Sequence, residues 1–498
     1  MSKVALADNL ADELSARASS RPAAAALRLP GVTISFRQLE ILTWRFAMFF
    51  HRNGLRPGDV AGLTFANEAA LIVAMLATAR IGATVFSIPG NVPPLQKAAM
   101  AAEANVRLLL TDIAGSNPAG LPALIVDIDS LARMSMPIDG SVRDAQPKAP
   151  WLIITGSGST GRPKHIQISH AVCRARMSLY TDVVSTTWED RIASLIHPDF
   201  PSAKNQYLSA LFSGASICLY DRARTNPIQL CSRRNVTVLY AAVIHVERMI
   251  RSAPAGSRNL LGGLKALVPA GSVVSDGLRA RAVEVLTPNL YVRYGTIETG
   301  PITDAVPSEV LSSRGTVGRP LKGVQLEVID PQGNSLPPGE VGRIRIRSPG
   351  MVHAYLDDDI ASRSAFSDGW FLPNDIGKIT ADGQLVFLGR ADQMMISDGI
   401  NIYPAEIETV VCGHPAVQDA AAIPLHSPLH QDIPVCAVTL RHGAVVTEQE
   451  LVEFAFQRLG SRHPRRIFVF ESMPRSEQGK ILLEELGLKI MQKLRDQP

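Results

Sequence analysis

The chain has 498 residues, 46% of them hydrophobic and 19% charged, which is too long for one core and apolar enough to fill two or more. Fifty basic residues against 46 acidic ones leave a formal charge of +4, a balance that does not point to nucleic acid as the partner. The five cysteines, Cys173, Cys218, Cys231, Cys412 and Cys436, are odd in number and show no C-x-x-C spacing, so a disulfide framework or a cysteine metal site is not expected and a reducing compartment fits. In chain order, the amino terminus carries no apolar stretch of signal-peptide length. From residue 10 the pattern gives an amphipathic helix, a short strand at Val32–Phe36, and a helix from about Arg37 to Asn53 closed by the turn chemistry of Gly54-Leu-Arg-Pro-Gly-Asp59. Val60–Phe65 reads as a strand, 69–80 as a buried helix and Ala83–Ile88 as a strand. The apolar run Ala69–Ala79 is cut by Arg80, short of the roughly 18 residues that a membrane span needs. A cytoplasmic protein without a membrane span is expected. Strands at Arg107–Thr111 and Ala123–Asp127 continue the alternation, which indicates parallel α/β layers, and a polar, proline-bearing loop fills about 128–150.

The next stretch organises the rest. Trp151-Leu-Ile-Ile-Thr is an apolar strand that breaks into Gly156-Ser-Gly-Ser-Thr-Gly161, followed by Arg162-Pro163-Lys164-His165. Glycines let backbone amides approach phosphate oxygens, Ser157, Ser159 and Thr160 offer hydroxyl donors, and Lys164 adds a point charge. Taken alone, a Gly/Ser run is more often a flexible turn. The G-x-x-x-x-G spacing also invites comparison with the P-loop, but that motif needs Lys-Ser/Thr next and a helix starting there, and Arg162-Pro163 stands in the way. The stretch resembles the phosphate-binding loop of the adenylate-forming superfamily, which contains acyl-CoA and aryl-CoA ligases, luciferases and the adenylation domains of peptide synthetases. On that resemblance Ser157, Gly158, Ser159, Thr160, Gly161 and Lys164 bind ATP; Gly156 and His165 depart from the family pattern.

Alternation then resumes: strands at Ile192–Ile196, Ser216–Tyr220 and Val236–Tyr240, helices at Gln206–Phe212 and Val243–Ser252. Ligands in layered α/β folds bind at strand carboxyl ends, which makes His197, Tyr240 and Ala241 substrate-pocket candidates, with Ala270, Gly271 and Ser272 near the nucleotide. His197 reads equally as a hydrogen-bonded structural histidine. Leu290-Tyr-Val-Arg-Tyr-Gly-Thr-Ile-Glu298 is similar to the family's Y-G-x-T-E. The resemblance makes Tyr294 stack on adenine, places Gly295 and Thr296 beside ATP, and has Glu298 hold Mg²⁺ on the phosphates; a hard cation takes carboxylate and phosphate oxygens and offsets charge between ATP and an incoming carboxylate. Ile297 replaces the family's threonine and removes a hydroxyl.

From about 315, period-two alternation between Pro/Gly turns at Val324–Ile329 and Gly342–Arg347 predicts an antiparallel, half-exposed sheet or small barrel, similar to the family's third subdomain. Gly369-Trp-Phe-Leu-Pro-Asn-Asp375 stands where the family has G-W-x-x-T-G-D, so Asp375 would accept from the ribose hydroxyls, with Pro373 and Asn374 as departures. Gly389-Arg-Ala-Asp392 followed by Asn401-Ile-Tyr-Pro-Ala-Glu-Ile-Glu408 closely resembles the opening of the family's carboxyl-terminal domain. Arg390 would then bind the nucleotide, Asp392 would be the hinge, and Ser397, Asp398 and Gly399 would line the thiol path, Asp398 replacing a glycine. A helix at Ala405–Cys412, strands at Val417–Ile423 and Pro434–Leu440 and a helix at Glu448–Leu459 follow. Pro474-Arg-Ser-Glu-Gln-Gly-Lys480 is similar to the family's P-R-T-x-x-G-K, whose lysine supplies charge where the phosphoryl oxygens become more negative. His426 and His430 have a metal-like spacing, but Pro428 disfavours the helix it needs.

Five separated motifs in the right order identify the chain as a member of the superfamily, closest to acyl-CoA and aryl-CoA synthetases. The fold class implied is α/β: a large domain of layered α/β subdomains with a small barrel-like subdomain over 1–388, a hinge at 389–392, and a small mobile α+β domain over 393–498. The implied activity is ATP-dependent activation of a carboxylic acid to acyl-AMP, then transfer to a thiol, with ATP, Mg²⁺ and coenzyme A as cofactors and Lys480, Glu298 and Asp392 as the catalytic set. Loading of a carrier-protein phosphopantetheine is one alternative, and a non-catalytic acyl- or nucleotide-binding homologue, supported by the departures at Gly156, His165, Ile297, Pro373 and Asp398, is another. A homodimer is among the assemblies the resemblance allows. Small pocket candidates lean towards a medium acyl or aryl acid over acetate.

Overall fold

In the computed structural model, which describes residues 9–115, 120–127, 129, 133, 146–156, 164–397, 400–427, 431–476 and 479–496, the strand–helix alternation of the first 240 residues becomes two layered sheets. The first runs in the order Ala123–Ile125, Val106–Thr111, Val60–Thr64, Thr84–Ser87, Pro150–Gly156, Lys164–Ser169. All its pairs are parallel except the last, an antiparallel hairpin in which Thr155 faces His165 and Gly156 faces Lys164. The helix Glu68–Ile81 is buried from Ala69 to Ile81, as its apolar residues on every face require. Asn67 Oδ1 accepts from the Ala69 and Ala70 amides at its start and Gly82, at φ +78°, ends it. Among the described residues no helix is long and apolar enough to cross a membrane.

In the second sheet, Val238–Ala242 pairs with Arg191–Ser194, then come Ser216–Cys218, Ala25–Leu29 and Val32–Ser35. Two expectations change here. The strand Ala25–Leu29, absent from the sequence expectation, pairs parallel with Ser216–Cys218 through contacts almost two hundred residues apart. Phe36 is the first helical residue and not the last strand residue, because Ser35 and Gln38 form a reciprocal capping box.

By chain contacts the molecule divides into two units, Met1–Tyr240 with Gly295–Pro301 and Ser348–Gly369, and Ala241–Tyr294 with Ile302–Arg347 and Trp370–Pro498. In the second unit the strands Trp370–Phe371, Gly342–Arg347, Asp375–Ile379 and Leu385–Arg390 form an antiparallel sheet, with Gln325–Ile329 also on Gly342–Arg347. The carboxyl-terminal sheet has the order Ile400–Ile402, Met395–Ser397, Gln431–Leu440, Val417–Ser427, with Arg466–Phe470 parallel against Gln431–Leu440. Its two faces separate with period two. Ala420, Ala422, Cys436 and Val438 pack with Ile407 and Val411 of the helix Pro404–Cys412 and Leu451 and Ala455 of the helix Glu448–Leu459. Ala421, Ile423, Val435 and Ala437 pack with Leu486 and Ile490 of the helix Leu483–Asp496.

Candidate active site

The first unit fixes the flanks of the Gly/Ser loop. Ser157, Gly158, Ser159, Thr160 and Gly161 lie outside the described residues, but the hairpin places Gly156 opposite Lys164 at the loop's base. Lys164 Nζ stands 4.8 Å from the centre of the Tyr355 ring, within cation–π range. His165 Nδ1 is 3.0 Å from Thr155 Oγ1 and its ring meets Phe86 edge-on, a satisfied structural histidine. Gly156 faces Ile297: a Cβ on it would come 2.3 Å from Ile297 Cδ1, so that side chain would have to shift.

Glu298 sits in the turn Gly295–Pro301, which belongs to the same unit. Its carboxylate Oε1 accepts from the Tyr355 hydroxyl at 2.9 Å. Its backbone carbonyl accepts from the Val352 amide at 2.8 Å and from Arg176 Nη2 at 2.9 Å. Arg176, on the helix His170–Val184 and 1% exposed, also donates to the Ile297 carbonyl at 2.9 Å and through Nε to the Gly350 carbonyl at 2.8 Å. Burial pushes its guanidinium down to about 10, so it stays a cation at neutral pH. Thr296 Oγ1 and Thr299 Oγ1 are 3.0 Å apart across the turn.

At the end of the strand Arg191–Ser194, His197 is one-third exposed and its Nδ1 accepts from the Asp199 amide at 3.3 Å. The Tyr240 ring is buried and meets Tyr180 edge-on, with Tyr240 in register opposite Ser194. Lys204, on the helix Pro201–Ser213, is 4% exposed and donates to the Asp199 carbonyl at 2.7 Å. Burial pushes its ammonium down to about 8, with Asp199 opposing.

In the second unit Tyr294, Asp375 and Arg390 meet. The Tyr294 hydroxyl donates to Asp375 Oδ2 at 2.5 Å and its ring tilts over Phe387 with centroids 5.6 Å apart. Arg390 Nη1 lies 3.8 Å from Asp375 Oδ1, while Nε and Nη2 donate to the two Asp392 oxygens at 3.0 Å each. That fork holds the Asp392 carboxyl below its ordinary range. Asn374 has φ +64°; asparagine is the side chain that best tolerates the left-handed region after glycine, which is why it can stand in the family's glycine position. Gly271, at φ +90°, follows the strand Ala266–Ala270, and Ser272 next to it is exposed. Ala241 is fully buried.

The carboxyl-terminal loop closes on itself: the Ser476 amide donates to the Lys480 carbonyl at 2.8 Å and the Lys480 amide to Ser476 Oγ at 3.2 Å. Arg475 bonds the Gly479 carbonyl and pairs with Asp419. Gly479, at φ +81°, lies where a Cβ would be 2.4 Å from Ile244 Cβ, so the exposed Lys480 is presented beside the helix Val243–Arg251. Ser397 is buried and pairs with Ile400; Asp398 and Gly399 lie outside the described residues. Among the described residues no group of three or more His, Cys, Asp or Glu gathers to hold a metal ion. A single half-exposed carboxylate, Glu298, suits an ion carried on ATP, since magnesium keeps several waters and takes one or two carboxylates beside phosphate oxygens.

Residues 14–356 match the family described as AMP-binding enzyme, and residues 406–480 match its C-terminal domain. The chain belongs to the AMP-binding enzyme family. Relatives of this AMP-binding enzyme include the 2-succinylbenzoate–CoA ligase of Bacillus licheniformis, 27% identical over 87% of this chain and 90% of that protein. The indoleacetate–CoA ligase of Aromatoleum aromaticum is 25% identical over 97% and 98%. Among solved structures, an O-succinylbenzoate coenzyme A synthetase from Bacillus subtilis, in complex with AMP, shares the fold with a TM-score of 0.83 at 22% identity, covering 96% of this chain and 98% of that one. The chain is an AMP-forming acid–thiol ligase.

Arg176, Lys204 and Tyr355 carry no motif in the sequence reading. As charged residues on helices, Arg176 and Lys204 look solvent-facing in the sequence, and the structure buries both. A basic residue inside a helix whose other residues are mainly small or apolar, as in Pro201–Ser213, is the one signal the sequence offered for Lys204.

Proposed function

We propose that this AMP-binding enzyme divides its work as follows. Lys164, with the loop 157–161, receives the ATP phosphates; Glu298 is the carboxylate for the divalent cation; Tyr294 and Asp375 hold adenine and ribose; Arg390 faces the nucleotide; and Lys480 neutralises charge at the α-phosphate. The substrate carboxylate oxygen attacks the α-phosphorus, a P–O bond forms, the bond to the β-phosphate oxygen breaks, and pyrophosphate leaves. The cation, when bound, offsets the negative charge of the triphosphate. In the second step a thiolate sulfur attacks the acyl carbon, a C–S bond forms, the C–O bond to AMP breaks, and the thiol proton goes to solvent. Domains over 1–388 and 393–498, with a hinge at 389–392, let one chain run both steps, and a cytoplasmic location supplies ATP and coenzyme A. The acid is a medium acyl or aryl acid, which the names of the relatives acting on 2-succinylbenzoate and indoleacetate support.

The observation that carries the reading is the Tyr294–Asp375–Arg390 cluster, with its 2.5 Å hydroxyl–carboxylate bond. A phenol, a carboxylate and a guanidinium interlocked in one place offer a ring to stack on, an acceptor for a diol and a fixed charge. The test is ATP–pyrophosphate exchange over a panel of carboxylic acids, with thioester formation from preformed acyl-AMP measured beside it. Exchange should require Mg²⁺ and one acid class. Lys480→Ala should lower exchange on the order of a hundredfold, the scale for one preorganised charge at a transition state, and leave the thioester step nearly unchanged. Equal damage to both steps would make Lys480 structural, and ATP binding without exchange for any acid would favour a non-catalytic homologue.

A further inference from the structure

The Tyr355 side chain touches two groups that the proposed mechanism uses, the carboxylate for the cation and the ammonium for the phosphates. Its hydroxyl donates to Glu298 Oε1 at 2.9 Å, and its ring face receives Lys164 Nζ at 4.8 Å. The ring is itself fixed. It is 8% exposed and meets Phe366 edge-on at 5.4 Å. Its backbone amide donates to Ser362 Oγ at 2.9 Å, and the next residue, Leu356, donates its amide to the His165 carbonyl at 2.8 Å. That last bond ties Tyr355 to the strand that carries Lys164. The Glu298 side is fastened as firmly, because the buried Arg176 holds the carbonyls of Ile297, Glu298 and Gly350 at once. Gly300 and Gly350 make room for it: a Cβ on either would approach the Arg176 side chain to 3.0 Å or less.

We propose that Tyr355 is a positioning residue that sets the distance and orientation between the cation-binding carboxylate and the phosphate-binding ammonium. The hydroxyl occupies one Glu298 oxygen and so turns the other towards a divalent cation. The ring draws the Lys164 ammonium away from Glu298, which keeps the two opposite charges from collapsing into an ion pair that would close the site to the nucleotide. This inference rests on the proposed role of Glu298. It concerns what orients that carboxylate.

The test titrates Mn²⁺, followed by its electron paramagnetic resonance signal, into protein saturated with α,β-methylene-ATP. Tyr355→Phe keeps the ring, its packing on Phe366 and its face for Lys164, and removes only the hydroxyl. Its Mn²⁺ Kd should rise roughly tenfold, the scale of one hydrogen bond to a charged group, while the Kd for the analogue in EDTA stays within about twofold of wild type. Tyr355→Leu should weaken both, because Lys164 loses its platform as well. Wild-type Mn²⁺ affinity in Tyr355→Phe overturns the proposal, and so does an equal loss of Mn²⁺ and metal-free analogue binding, which a merely structural tyrosine would give. Glu298→Gln separates the two levels: if it binds Mn²⁺ as wild type does, the role of Glu298 falls whatever Tyr355 does.

Discussion

Two of the chain's departures from the family patterns meet at one point. Gly156 stands in the loop motif and Ile297 in the Y-G-x-T-E motif, more than a hundred residues apart, yet a Cβ on Gly156 would overlap Ile297 Cδ1 at 2.3 Å. No left-handed φ demands glycine at 156; the glycine leaves the space that Ile297 Cδ1 fills. The two changes are therefore one exchange of volume between facing positions, not two independent departures. Gly156→Ser alone should lower pyrophosphate exchange by about tenfold as Ile297 is displaced, and adding Ile297→Thr should restore most of it, a coupling of about 1 to 2 kcal/mol for side chains in contact. Strictly additive effects in that double-mutant cycle would mean that the pair is not matched. Asn374 shows the same logic at a single position, since its backbone angle explains the residue that replaces glycine.

Among the elements, the hairpin Pro150–Gly156/Lys164–Ser169 was half legible. The first strand announces itself by its apolar run, whereas the second, with Lys164, His165 and Gln167, looks polar and is a strand because it pairs along the sheet edge. In the helix Pro404–Cys412 the sequence shows an amphipathic segment but not that the half-buried Glu408 meets the neighbouring strand. Its Oε1 accepts from the Ala422 amide at 3.0 Å, and burial, with Asp419 nearby, pushes its carboxyl up to about 7. An acid whose folded pKa lies above its unfolded value binds a proton on folding between the two, so stability falls as pH rises from about 4.5 to about 7 and stays lower above that. Glu408→Gln keeps an acceptor for Ala422. It should leave the melting temperature at pH 5 nearly unchanged and raise stability at pH 8 by about 1 to 2 kcal/mol, discounted for residual contact with solvent. Parallel melting profiles for the two proteins between pH 5 and 8 would remove Glu408 as the cause.

For the whole molecule, the proposed hinge at 389–392 tests whether one chain runs two reactions by rearranging. Arg390 grips Asp392 with both arms, and Asp392 sits in a short 3-10 turn, Ala391–Gln393. Proline at 392 fixes its own φ and restricts Ala391 before it. Asp392→Pro should retain pyrophosphate exchange and lose thioester production, while Asp392→Ala, which loses the same Arg390 partner, should keep most of both. A folded Asp392→Pro protein, with an unchanged thermal transition, that makes thioester at the normal rate would refute the hinge.

The α/β class and the family were legible in local sequence, as were Lys164, Glu298, Asp375, Arg390 and Lys480 as candidates for the proposed roles, because each rests on a short run of residues whose chemistry depends on their own spacing. Three things came only from tertiary structure. The strand Ala25–Leu29 exists because Ser216–Cys218 accepts it as a partner. Arg176 and Lys204 are buried because distant segments close over them. Tyr355 reaches Glu298 and Lys164 because the Ser348–Gly369 segment folds onto the first unit. Burial and long-range hydrogen bonds are properties of pairs of segments, and a pattern along a single segment carries no record of its partner.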